Sequence, residues 1–192
     1  LAWFRQSVEL GNGDSMWLLG IMYRDGDGVD MNHSKALELF EKSASIKNPK
    51  GLFYLGLMHE YGLGTSQDFM KAARYYEDAS LLKEPEGHYY FGLMVAHGRG
   101  VEQDLKKALQ IFTKSAEAGH VPSQLQIAKM HANGQGVERN YENAIYWFDL
   151  AAKSGNPLYA DEGRRWRDEL AALLSEAKAH LQVNTDRFAN RL

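Results

Sequence analysis

The chain contains no cysteine. That excludes a disulfide framework, thiol catalysis and cysteine-ligated zinc, but it leaves the compartment open, because exported proteins can lack cysteine too. No apolar run approaches the ~18 residues that a membrane-spanning helix needs, so no membrane insertion is expected. There is no signal-like start either. Charge of one sign is not in excess. The 22 lysines and arginines against 25 aspartates and glutamates leave a net charge of −3, and no basic field exists to steer a nucleic acid onto the surface. The chain opens on Leu1 without an initiator methionine, as expected where an upstream portion, with room for a targeting segment, has been removed or left out.

What is present is a repeat. The stretch Arg24-Asp25-Gly26-Asp27-Gly28-Val29-Asp30 has the look of a calcium loop, two glycines among three aspartates. In that reading the first ligand position falls on Tyr23 and the closing glutamate on Ser34, so the metal loop fails. The same Gly-x-Gly recurs at Gly62, Gly98 and Gly134, a constant step of 36 residues. Gly20, Gly56, Gly92 and Ala128 form a small-residue column at that step. Met22, Met58, Met94 and Met130 form another, and Phe40, Tyr76, Phe112 and Phe148 a third. A fixed period of this length marks a solenoid of stacked units.

Each unit reads as two helices. The first begins near Asn48-Pro49, Glu84-Pro85 and Asn156-Pro157, with proline at the first helical position, where its missing N–H costs nothing. The second begins at Asn32, Asp68, Asp104 and Asn140, whose side chains suit an N-cap. Between them, the first glycine of each corner ends a helix in the left-handed region and the second lets the chain reverse. Lys47 and Lys83 stand where the other inter-unit turns carry Gly11, Gly119 and Gly155.

The motif Leu19-Gly20-Ile21-Met22 through Gly26-Asp27-Gly28 to Lys35-Ala36, with its three sister copies, resembles the Sel-one-like repeat (SLR) family, relatives of the tetratricopeptide repeat. The resemblance implies an all-α, right-handed α/α superhelical solenoid of 36-residue helix-turn-helix repeats. The array spans 1–156: a partial unit over 1–11, then units over 12–47, 48–83, 84–119 and 120–155. Residues 157–182 then form a long amphipathic capping helix, and 183–192 a tail. Trp166, Leu170, Leu173, Leu174, Ala177 and Leu181 give that helix its apolar stripe.

If the geometry is that of tetratricopeptide arrays, the first helix of each unit lines the concave side. The inward residues of the first unit are then Trp17, Ile21 and Arg24, with Asp14 and Asp25. The next unit supplies Phe53, Leu57, Glu60 and Tyr61, the third Tyr89, Leu93 and His97, and the fourth Lys129. Trp17, Phe53, Tyr89 and Leu125 form an aromatic-rich column, the kind of rigid surface that carries binding hot spots, although such a column also packs between repeats. Tyr54 and Tyr90 sit beside it.

Catalytic arrangements do not assemble. His59-Glu60-Tyr61 lacks the second histidine of a zinc-protease helix, since Leu63 holds that place. Gly62-Leu63-Gly64-Thr65-Ser66 has no phosphate-loop lysine, and there is no G-x-S-x-G elbow. The resemblance therefore implies a non-catalytic scaffold without cofactor or metal, binding a protein partner in its concave groove. Family members act mostly in bacteria as signalling or envelope adaptors, and some are immunity proteins that neutralise a secreted toxin. The bacterial periplasm is favoured over the cytoplasm. Two further expectations stay open: a peptidoglycan-binding or other small-molecule module of the cell envelope, and a homodimer formed through the C-terminal helix.

Overall fold

The computed structural model describes residues 2–189, with side chains through 180. The described residues form ten helices and no strand. They divide into two compact units, one running through Ser115 and the other starting at Ala116.

The first unit holds α1 (Ala2–Glu9), α2 (Gly13–Asp25), α3 (His33–Ser45), α4 (Pro49–Tyr61), α5 (Phe69–Leu81), α6 (Pro85–His97) and all but the last two residues of α7 (Leu105–Glu117). Each helix from α1 to α5 packs on its successor, and the even-numbered first helices also meet one another, α2 with α4 and α4 with α6. The helices start where capping chemistry puts them. Asn12, Asn32, Asn48, Asp68 and Asp104 each accept a hydrogen bond from the backbone N–H three residues on, at 2.8–3.1 Å. The first helices stop at Gly26, Gly62 and Gly98, whose φ of 66–75° is left-handed and whose N–H returns to the carbonyl of Met22, Met58 or Met94. Gly26 and Gly28 make the aspartate-rich stretch a turn, closed by the Asn32 N–H on the Tyr23 carbonyl at 2.7 Å.

The small-residue column has a packing cause. A Cβ on Gly20 would lie 2.5 Å from the Phe40 ring, and one on Gly56 or Gly92 would lie 2.7 or 2.6 Å from Tyr76 or Phe112. Glycine lets each first helix close onto the buried aromatic of its own second helix. Around this contact the core gathers Ala36, Phe40, Leu55 and Met58.

The second unit holds the end of α7, then α8 (Val121–Asn133), α9 (Tyr141–Ala152) and α10 (Pro157–Ala189). Its core is Leu125, Ala128, Ala144, Phe148, Ala151 and Leu170. The capping role expected of α10 is met: Trp166 stacks on Phe148 at 6.2 Å, Leu170 is buried, and Gly163 sits against the α9 backbone. Beyond Leu170 the stripe runs into solvent, with Leu173 and Ala177 exposed. Helix α10 is continuous across residues 182 and 183, and the side chain of Leu181 lies outside the described residues.

Candidate functional site

The first helices α2, α4 and α6 of the leading unit carry a continuous chain of rings. Trp17 stacks on Tyr54 at 5.8 Å between centroids, Tyr54 meets Phe53 edge-on at 5.0 Å, Phe53 meets Tyr90 at 5.3 Å, and Tyr90 meets Tyr89 at 5.4 Å. The second-helix aromatics lie beneath it: Phe40 under Tyr54 at 5.2 Å, Tyr76 against Phe53 and Tyr90, and Phe112 against Tyr89. These separations suit favourable ring pairing, so the side chains are held in place before anything binds. Phe53 is buried and acts as a keystone, whereas Trp17, Tyr54, Tyr89 and Tyr90 remain half-buried.

Three charged groups flank the rings. Arg24 lies over the Tyr54 ring at 5.2 Å and grips Asp25 through two hydrogen bonds of 2.6 and 2.7 Å. The hydrogen bonds to Asp25 hold the Arg24 guanidinium above its ordinary value and the Asp25 carboxyl below its own. Lys50 contacts Glu84 at 2.7 Å and Glu86 at 3.3 Å. Glu84 occupies the N-cap of α6 but caps nothing, because its buried side chain turns to Lys50 instead. Burial, and then a proton shared with Glu86, pushes Glu84 up to about 7. The hydrogen bond from Glu84 pulls Glu86 down to about 2. Finally, Glu60 is buried, accepts the Tyr76 hydroxyl proton at 2.7 Å and pairs with Arg99 at 3.0 Å. Burial and that hydrogen bond keep the Tyr76 phenol neutral far above its usual range.

The residues expected to line the groove divide accordingly. Trp17 and Arg24 meet on Tyr54, and Phe53 joins Tyr89 through Tyr90. Glu60 faces inward to Tyr76 and Arg99, and Ile21 packs on the first core cluster. Leu57 and Leu93 are half-buried, and Tyr61 and His97 end α4 and α6 as exposed residues. Lys129, in the other unit, pairs with Glu162 of α10 at 2.8 Å. Sequence reasoning missed Tyr54 and Tyr90 as connectors, and it missed the partners of the two buried glutamates, setting Glu60 on the groove wall and passing over Glu84. A signal existed for the latter: Glu60 shares its column with Arg24, Ala96 and Ala132, and Glu84 with Asn12, Asn48, His120 and Asn156. A lone acid in such a column needs a partner of its own.

A helical repeat with a preformed aromatic face is a scaffold architecture. Residues 13–48, 49–83, 85–120 and 121–156 match the Sel1 repeat, and the chain belongs to that family. A Sel1 repeat protein from Oxalobacter formigenes is 28% identical with a TM-score of 0.74, over 81% of this chain and 64% of that one. A protective antigen of uropathogenic Escherichia coli that displays the SLR fold is 26% identical with a TM-score of 0.76, over 88% and 40%. The chain thus spans less than two thirds of the length of either. An immunity protein from Pseudomonas aeruginosa shares the fold at 20% identity and a TM-score of 0.57, over 88% and 72%. A search of curated proteins finds no match.

Proposed function

We propose that the chain is a non-catalytic scaffold whose α2, α4 and α6 receive a segment of a protein partner across Trp17, Tyr54, Tyr90 and Tyr89. The observation that carries this reading is the ring chain itself: half-buried aromatics, locked by packing, with charged groups at the edge. Such a surface binds with little ordering of its own side chains and concentrates energy in a few aromatic anchors. For the partner we propose a secreted bacterial toxin, so that the chain serves as its immunity protein. This is supported by the fold shared with two Pseudomonas aeruginosa immunity proteins, and an envelope adaptor is the competing role.

The test is affinity capture from a lysate of the source organism, followed by titration of the recovered partner against variants. Trp17→Ala with Tyr89→Ala is expected to weaken binding by about 2–4 kcal/mol, the range of interface hot spots, with the helical spectrum unchanged. Undiminished affinity would move the interface elsewhere. Phe53→Ala is a poor probe because the side chain is buried and its loss unsettles the core. Recovery of an envelope assembly component instead of a toxin would select the adaptor role.

A further inference from the structure

One titratable side chain of the leading unit is enclosed and takes no part in the ring chain. His59 lies near the end of α4, only 6% exposed, and its Nδ1 has no hydrogen-bond partner among the described residues. An orphan of this kind is uncommon in a folded interior and calls for a reason. The imidazole lies nearly parallel to the Tyr75 ring of α5, 5.5 Å between centroids and 18° between planes. Packing, not hydrogen bonding, keeps it in place.

Its position in the repeat gives that placement a consequence. The column reads Tyr23, His59, Val95 and His131. In each unit the carbonyl of this residue accepts the N–H of the residue that caps the following helix, from Asn32, Asp68, Asp104 and Asn140 at 2.7–3.0 Å. That bond closes the corner. At the second corner the Gln67 side-chain amide adds a bond to the Glu60 carbonyl at 2.8 Å. Whatever moves His59 out of its slot pulls on the contacts that shut residues 62–68. A neutral imidazole keeps one nitrogen as a bare acceptor, and a second proton makes both nitrogens donors. Nδ1 would then hold an N–H, on a charged ring, with no acceptor to meet it. The charged groups around the ring are Lys71 and Asp68 from α5 and its cap, and Glu41 from α3. Burial first, and the Lys71 ammonium second, hold His59 below its ordinary value, and the two carboxylates only partly oppose them.

We propose that His59 is a proton-sensitive latch: neutral, it keeps the second corner shut, and protonated, it leaves its slot and lets residues 62–68 and the start of α5 open. A folded-state value held down means that the open corner binds the proton more readily than the closed one. The stabilisation is whole above the ordinary value of 6.5 and is lost as pH falls through the folded value. Glu84 has the opposite sign, but it sits where α5 hands over to α6, whereas His59 sits where α4 hands over to α5. A residue-resolved measurement separates the two. The latch does not depend on what the ring chain binds.

The experiment is amide hydrogen exchange of the full chain at about pH 7.5 and about pH 5, expressed as protection factors, beside an NMR titration of the imidazole. Protection across residues 62–68 is expected to fall several-fold in acid, with a ceiling of about thirty-fold at about pH 5 set by the ordinary value of 6.5. The third corner, where Val95 fills the column, is the internal reference and is expected to keep its protection. His59→Val supplies the residue that lies buried at that third corner, and His59→Phe keeps a ring on Tyr75. Both variants are expected to fold and to lose the acid-dependent opening. In the parent the imidazole is expected to titrate below 6.5, a reading that stands even if neither variant folds. An imidazole that titrates at or above that value, an equal loss of protection at the third corner, or a loss that persists in the folded variants would overturn the latch.

Discussion

Lys47 and Lys83 hold φ of 59° and 63°, a left-handed backbone that the equivalent turns entrust to Gly11 and Gly119. A Cβ in that region costs about 1–2 kcal/mol, partly offset by the greater unfolded freedom of glycine. Lys47→Gly and Lys83→Gly are each expected to stabilise the chain by about 0.5–1 kcal/mol, read as a higher urea midpoint at unchanged slope. The buried carboxylates make sharper claims. Tyr76→Phe strips one hydrogen bond from a buried charge and is expected to lower stability by about 1.5–3 kcal/mol. A fall below half of that would show that water replaces the hydroxyl. Glu84 gives a pH signature. Its folded value of about 7 lies above the ordinary 4.5, so the folded chain keeps a proton that the unfolded chain releases, and stability falls as pH rises through that window. Glu86, held near 2, loses its contribution as pH falls from 4.5 towards 2. The pair is therefore most stabilising near pH 4.5. Glu84→Gln is expected to flatten the decline between pH 4.5 and 7 in chemical denaturation, and a slope identical to the parent would assign the decline to other groups.

At the scale of the element, α10 shows how one helix changes role along its length. Trp166 and Leu170 close the core of the second unit, and Arg167 reaches back to Asp149 at 3.0 Å. Three residues past Leu170, Leu173 is half exposed. Leu170→Ala is expected to cost about 2–4 kcal/mol through the cavity it leaves, and Leu173→Ala less than about 0.5 kcal/mol. Similar losses at both positions would mean that the distal stripe is covered in solution, as the homodimer reading requires. Light scattering on the same samples would then report a doubled mass.

Across the whole molecule, stability is a sum over neighbouring helices, because helices pack mainly on the next helix or the next but one. Leu170→Ala should accordingly speed amide exchange in α9 and α10 and leave α2 to α5 unchanged. This additivity also explains what was legible in the sequence. Caps at Asn32 or Asp68, and corners at Gly26 or Gly62, are decided within a few residues, and the columns that fill the core repeat at a fixed step. Residues one period apart can be compared by eye. Lys50 and Glu84 lie 34 apart, and Glu60 and Arg99 lie 99 − 60 = 39 apart, so neither pair falls in a column and neither could be read as a contact. The ring chain was half legible for a similar reason. Spacing put Trp17, Phe53 and Tyr89 on one face, but the way neighbouring helices approach decides that Phe53 sinks while Tyr54 and Tyr90 bridge.

Near-identical modules invite a mistake during assembly: a helix can settle against the wrong neighbour, one repeat early or late, and still bury a passable interface. The Tyr76–Glu60–Arg99 trio works against that slip. A displaced α4 would strand an acid in an apolar seam with no cation to answer it, so the three side chains act as a key that fits one lock. Replacing two members of the trio with the residues the third repeat carries in their columns (Glu60→Ala, Tyr76→Phe) should leave the final fold intact but add misregistered species to refolding, seen as a slow kinetic phase absent from the parent.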